Sequence, residues 1–439
     1  MELQMLITIL LIEVIISFIL FKNDLIAPAF IFSIVFLIAA LNVKSNEDYW
    51  KVKINSTTVT IIGGGVAFFI LGCLIVQMFR IGTKLIANTQ ENRMVEFRSI
   101  NIDNNFLILF MVYYVIIDVL MIYFIRSIAI QYGGGGSLFD LIGYYNKLSK
   151  ENSVSLPPLL NQFIAICIWM GYVWLYILIN NYFTDKKINK KVLVLFIMTC
   201  ICSLITGSRG DLIAMIVCGI IMYVMMVRKK NQDKIFKIPL KALIIVITLV
   251  LLFLVLFQKV GDFLGRDAYL YDSHEYLSIY VGGPLLNLNN CIARGLEKAD
   301  VWGQETFIAL NNMIGNFIGN ANLQYGSTRT FYGANYHNTG NVCTAFYDYY
   351  FDFGVVGCFV IAFLTGIFVQ FIYNKARKTM AKTSGISISV MFFSYILFLT
   401  ARSFFANSLI HFVFGLQIIK MLFIWMLAKM FLEKIRIKI

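Results

Sequence analysis

The sequence predicts an all-α fold: a polytopic transmembrane helical bundle with one large external loop region. Three observations predict it. Of the 439 residues, 59% are hydrophobic and 14% are charged, and the mean hydropathy is +0.77, whereas a soluble domain is nearer half apolar and a quarter charged. The apolar residues gather in runs of about 17–25 residues, the length that carries a helix across a hydrocarbon core. The runs are apolar all round, whereas strands of a membrane barrel would alternate with period two.

Reading the runs in order gives about eleven spanning helices, and residues 1–439 read as a single polytopic membrane domain. The expected cores are Leu3–Phe21, Leu25–Leu41, Thr58–Phe79, Phe106–Ile125, Leu159–Phe183, Val192–Thr206, Leu212–Val227 and Leu243–Phe257. Val355–Tyr373, Ile386–Ala401 and Leu409–Phe431 complete the set. The first run lacks a basic flank and a small-residue cleavage site, so no cleavable signal peptide is expected.

Lysine and arginine set the orientation. Lys186 to Lys191, Arg228 to Lys241 and Lys375 to Lys382 are densely basic and fall on one side when the crossings are counted. With that side cytoplasmic, the cytoplasmic segments hold 23 of the 37 Lys+Arg and the outer segments 13. The tail then lies inside and the short N-terminus outside. The net charge of +13 is explained by these loops. No basic recognition element points to nucleic acid.

The long outer segments are 126–156 and 258–353; the second carries nine Asp/Glu against five Lys/Arg, with His274 and His337. Within it, Glu305–Asn320 reads as interfacial or re-entrant, being apolar but too short to cross. Ser137–Leu148 reads as a surface helix with Leu138, Leu141, Ile142 and Tyr145 on its apolar face, preceded by a hinge at Gly133–Gly136. Six of the eight cysteines lie in apolar runs; Cys291 and Cys343, in the large loop, are candidates for pairing in an oxidising space. No zinc spacing, P-loop or nucleophile elbow is present, so no metal or cofactor is expected.

The sharpest local signal is Thr206-Gly207-Ser208-Arg209-Gly210-Asp211, joining two apolar runs at their outer ends. The glycines allow a tight turn, and small neighbours are expected to leave the Arg209 guanidinium accessible. Its fork of donors matches phosphate oxygens. The plain alternative is a turn arginine snorkelling to the headgroups. Arg402 occupies an equivalent place after Ile386–Ala401, and Arg126, Arg266 and Arg329 form a second tier suited to an anionic lipid headgroup.

Two stretches resemble a known family. Gly207-Ser208-Arg209-Gly210 between helices is similar to a motif of bacterial Wzy-type polymerases, which build O-antigen or capsular polysaccharide. Asn338 to Thr344, followed by Tyr347 to Gly357 with Asp352-Phe353-Gly354, resembles that family's later signature. The helix count and the single large external loop match as well. The resemblance implies a membrane-embedded, GT-C-like glycosyltransferase of the bacterial cytoplasmic membrane. Donor and acceptor would be oligosaccharide repeat units on polyprenyl (undecaprenyl) diphosphate, and a chain-length regulator and a flippase of the same pathway are candidate partners.

On that reading, Arg209 and Arg402 contact the diphosphate, assisted by Arg266 or Arg329, with Arg126, Ser208, Asn338 and Asp352 as further substrate contacts. His337 is the leading base, a histidine being suited to proton transfer near neutral pH; Asp352, His274, Glu275 and Asp262 are its rivals. Asp352 is also expected to order the Phe353-Gly354 turn at a helix start. Arg209, Arg402 and the His337 region are expected to line one outer pocket. The other readings are a lipid-linked oligosaccharide flippase or transporter, an O-antigen-ligase-type transferase, and a structural assembly protein. A transporter calls for charges along its helices, and Glu13, Asp118 and Lys420 are the main charges within these cores.

Overall fold

The computed structural model describes residues 1–86, 98–150, 154–207, 209–230, 272–296, 299–324, 332–382 and 384–434, with 259, 261 and 326 singly. The expected span Leu243–Phe257 lies outside the described residues. The described chain is helical, with one two-stranded hairpin. Its first helices are α1 Glu2–Leu20, α2 Pro28–Ser45, α3 Glu47–Trp50, α4 Ser56–Ile86, α5 Asn104–Gln131, α6 Leu138–Lys150, α7 Pro158–Asp185, α8 Lys190–Ile205 and α9 Arg209–Lys230. Next come α10 Ser273–Val281, α11 Gly283–Arg294, α12 Ile308–Ile318, β1 Tyr332–Ala334 and β2 His337–Gly340. The last helices are α13 Ala345–Lys382, α14 Ile388–Ala401, α15 Ser408–Val413 and α16 Leu416–Lys434.

Seven described helices are long and apolar enough to cross a membrane: α1, α2, α5, α7, α9, Ser56–Phe79 of α4 and Ala345–Met380 of α13. The chain is therefore a multi-pass membrane protein. The final expected span is divided. α15 ends at Val413, and Gly415 N–H turns back to Phe412 O at 3.2 Å before α16 begins. Glycine in a helix costs about 1 kcal/mol relative to alanine, which places the break there. α13 is also broken, at Gly354 (φ 65°, ψ −164°), so a separate helix does begin at Val355 as expected.

The chain forms two compact units. The first comprises Met1–Arg93, Leu277–Lys378 and Tyr395–Lys420. In it α1, α2 and α4 pack together, with Phe32 stacked on Phe69 at 3.9 Å and Phe346 against Phe36 at 5.2 Å. α4 and α13 meet through glycines on both sides. A Cβ at Gly72 would lie 2.2 Å from Phe363 O, and one at Gly366 would lie 2.3 Å from Phe69 O. Small residues of this kind let helix backbones approach within a membrane. Buried amides then bind α10 and α11 to the ends of α2 and α4. Asn46 Nδ2 donates to Ser278 Oγ (3.1 Å), and Asn289 Oδ1 accepts from Asn55 N (2.8 Å) and Thr58 Oγ1 (2.9 Å).

The second unit comprises Met94–Tyr276, Thr379–Ser394 and Met421–Ile439. α5, α7, α8 and α9 pack side by side. Tyr114, fully buried, donates to Cys167 O (2.7 Å) and lies 2.8 Å from Thr199 Oγ1. α6 packs against α5. Leu141, Ile142 and Tyr145 are buried as the amphipathic pattern predicts, whereas Leu138 is exposed. Ser137 and Asp140 cap α6 reciprocally: Asp140 Oδ2 accepts from Ser137 Oγ (2.7 Å) and Ser137 N (2.8 Å). These bonds hold the Asp140 carboxyl below its usual range. The glycine hinge before it turns at Gly133 and Gly136, both at positive φ.

Candidate functional site

In the second unit, α8 ends at Thr206 and Gly207 turns the chain at φ +72° so that α9 can begin at Arg209. Glycine is required there twice over, because a Cβ would also lie 2.4 Å from Asn146 Nδ2 of α6. Ser208 lies outside the described residues. Arg209 departs from expectation. Its guanidinium is buried, at 4% exposure, rather than accessible. The reason is Tyr276, whose hydroxyl accepts from Arg209 Nη2 at 2.9 Å and whose ring lies 5.6 Å from the guanidinium carbon. Asp211 occupies the first turn of α9.

Arg126, exposed on α5, lines a cavity of about 470 Å³ together with Ile122, Ile130, Gly135, Gly136 and Leu141. The walls are mostly apolar around one cation, and the glycine hinge forms one edge.

The remaining candidates lie in the first unit, apart from His274 and Glu275 of α10. His274 is exposed, and Glu275 N–H donates to Asp272 Oδ1 at 2.8 Å, which caps α10. Arg402 follows α14 in a short 3₁₀ turn, its guanidinium 5.5 Å from the Phe405 ring, which stacks on Tyr280. His337 begins β2. Asn335 and Tyr336, both at positive φ, form the two-residue turn that joins β1 to β2, the geometry that tight hairpins favour. The turn lays the His337 ring on Tyr49 at 3.8 Å. Asn338 Oδ1 accepts from Gly340 N at 2.8 Å. Fully buried Asn287 donates to Thr339 O (3.0 Å) and Val342 O (2.9 Å), clamping the Asn338–Thr344 motif to α11. Cys291 and Cys343 are buried free thiols. Burial pushes the Tyr332 phenol well above its usual range, with Cys291 adding to the rise. Arg266, Arg329 and Asp262 lie outside the described residues.

One constellation was only half visible in the sequence. Asp348 and Asp352, four residues apart on α13, meet the loop 302–307 and α15. Asp352 accepts from Glu305 N (3.2 Å) and Thr306 N (2.6 Å). It therefore does not order the Phe353-Gly354 turn. The helix already runs through Asp352, so its carboxylate meets free N–H groups near the start of α12, where an anion suits the positive helix end. Thr306 Oγ1 donates to Asp348 O (3.0 Å), Asn407 Nδ2 to Thr306 O (3.3 Å) and Tyr349 OH to Asn407 Oδ1 (3.1 Å). His411 Nε2 lies 2.9 Å from Glu305 O and 3.3 Å from Asp348 Oδ2. Glu305 and Asp348 are themselves buried. Of this cluster only Asp352 is a candidate from the sequence; the signal that could have found the rest is the pair of carboxylates, Asp348 and Asp352, at helical spacing within an otherwise aromatic stretch.

Arg209 thus belongs to one unit, while Arg402, His337 and the Asp348–His411 cluster belong to the other. No curated protein and no solved structure matches the chain. The family model described as "O-antigen polysaccharide polymerase Wzy" matches residues 3–268, a segment that carries Arg126 and the Gly207–Arg209 turn. Over more than half its length, then, this multi-pass membrane protein bears the pattern of those polymerases, and the chain belongs to the Wzy O-antigen polysaccharide polymerase family.

Proposed function

We propose that the chain is a glycosyltransferase of the bacterial cytoplasmic membrane that joins oligosaccharide repeat units carried on polyprenyl diphosphate, working at the outer face. The observation that carries this reading is the buried Arg209 at the start of α9. A guanidinium at the positive end of a helix presents a fork of donors that matches the oxygens of an anion. A diphosphate is such an anion. Arg126, in the same unit, is proposed as a contact to a lipid phosphate whose hydrocarbon lies on the apolar walls of its cavity.

Sidedness is supported by the segments that meet within each unit. In the first, residues 42–58 meet 278–289, both assigned to the outer face. In the second, Asn181 pairs with both backbone groups of Ile100, joining the cytoplasmic end of the expected span Leu159–Phe183 to a segment assigned to the cytoplasm. The reaction also needs a base for the acceptor hydroxyl, and His337 is one residue of that type.

The test is the glycan profile of a deletion strain. Loss of this activity leaves single repeat units on the terminal acceptor or on the carrier lipid, and the gene restores a ladder. Repeat units trapped on the inner leaflet would instead identify a flippase and overturn the reading.

A further inference from the structure

Resting on the polymerase reading, we propose that the acceptor sugar binds beside α15, with His411 as the base that takes its hydroxyl proton and Asp348 as the residue that positions His411. The argument starts from the imidazole. One nitrogen, Nε2, points at both the Glu305 carbonyl (2.9 Å) and the Asp348 carboxylate (3.3 Å). A carbonyl oxygen can only accept, so the Glu305 contact fixes Nε2 as the N–H and leaves Nδ1 as the basic nitrogen, with the Asp348 carboxylate as a neighbouring negative charge at 3.3 Å rather than a second hydrogen-bond acceptor. No partner for Nδ1 occurs among the described residues. The His411 side chain is 31% exposed, whereas that of Asp348 is fully buried. A base whose far nitrogen faces a buried carboxylate resembles the arrangement that activates hydroxyl nucleophiles on unrelated folds.

The surroundings hold this geometry still. The Glu305 carbonyl belongs to a segment whose next two N–H and hydroxyl groups are taken up by Asp352 and Asp348 O, and whose Thr306 carbonyl is held by Asn407. His337 sits on a hairpin edge with its ring against Tyr49.

The same loop offers a surface for a sugar. Trp302 is 69% exposed and stacks on Phe307 at 5.0 Å, and Phe307 meets Phe414 edge-on at 5.2 Å. Phe414 follows α15, three residues after His411. An exposed indole backed by two rings gives a flat apolar face to the C–H side of a pyranose, with its hydroxyls directed toward the polar cluster. Trp302 O is itself held by Asn311 Nδ2 at 3.2 Å.

In the step proposed, the acceptor hydroxyl oxygen bonds to the anomeric carbon of the donor glycan. The bond from that carbon to the diphosphate oxygen breaks, and its electron pair leaves with the polyprenyl diphosphate. The hydroxyl proton passes to His411 Nδ1.

The experiment uses membranes containing the full-length protein and lipid-linked repeat units extracted from the deletion strain. His411→Gln is the decisive variant, because glutamine can still donate to Asp348 and Glu305 O but has no basic nitrogen. The coupling rate is expected to fall roughly 10²-fold or more at unchanged membrane abundance, the usual contribution of a positioned base. Asp348→Asn should lose about tenfold or more, and Trp302→Ala should raise the acceptor KM more than it lowers kcat. A His411→Gln rate within about threefold of the parent protein overturns the assignment, since packing alone then explains the residue. A collapse in His337→Gln with His411→Gln still active overturns it in favour of His337. Failure of the unaltered protein to extend the units at all would instead overturn the polymerase reading, so the two failures are distinguishable.

Discussion

Tyr276 and Arg209 form a buried hydrogen-bonded pair. In the proposed reaction the diphosphate gains negative charge as the glycosidic bond breaks, so a fixed cation would stabilise the transition state more than the ground state. Arg209→Ala is expected to lower polymer formation by roughly 10²–10³, the cost of removing one preorganised donor. Arg209→Lys should be badly impaired as well, because lysine cannot present a planar fork. Burial raises a competing explanation, that Arg209 merely holds Tyr276. Tyr276→Phe decides between them: it deletes the hydroxyl that accepts from Nη2 and leaves the ring. Near-parental glycan ladders from Tyr276→Phe, beside short ones from Arg209→Lys at matched abundance, would assign Arg209 to the substrate. Equal loss from both would make it an anchor. At this scale the sequence was legible for residue type but not for exposure. The Gly-Ser-Arg-Gly turn marks the arginine, yet Tyr276 lies 67 residues further along the chain, and no local pattern foretells it. Asp348 and Glu305 were missed for the same reason, since a buried polar cluster is assembled from three distant segments.

Helices of this chain owe their placement to small residues as much as to apolar ones. Where α4 crosses α13, the atoms that a new Cβ would strike are backbone atoms, which cannot move aside as a side chain can. Gly366→Leu is therefore expected to destabilise by about 1–3 kcal/mol, the usual cost of overpacking. It should appear as reduced membrane abundance and a lower melting midpoint in detergent. Gly326→Ala, where an added methyl meets nothing within 4 Å among the described residues, should leave both unchanged. Element identity was well marked in the sequence because long apolar runs admit one solution in a bilayer. The amphipathic stripe of α6 and the break at Gly354 were equally readable. The break before Leu416 was not, because Gly415 lies within a mostly apolar stretch and a glycine there is compatible with either outcome.

For the whole molecule, sidedness is the property on which the proposed chemistry stands. Tyr336, at the hairpin tip, is fully exposed, and Lys187 is exposed in the basic segment after α7. In a chain whose eight native cysteines have been replaced, a cysteine at Tyr336 should react with an impermeant maleimide in intact cells. One at Lys187 should react only after permeabilisation. The reverse pattern would put the large loop in the cytoplasm and remove the site from the outer leaflet. The basic bias is what makes this orientation readable from sequence, whereas the grouping into two units is not, since each unit draws on three separate stretches of chain. The discontinuity at Gly354 matters here as well. The turns that carry Asp348 and Asp352 precede it, and the part of α13 that follows is long enough to span the hydrocarbon. A long apolar helix accommodates bilayers of different thickness by changing its tilt. The kink at Gly354 means that the tilt of the spanning segment is not set by a continuous helix from Asp348 and Asp352, whose contacts with Thr306 and His411 all lie before it.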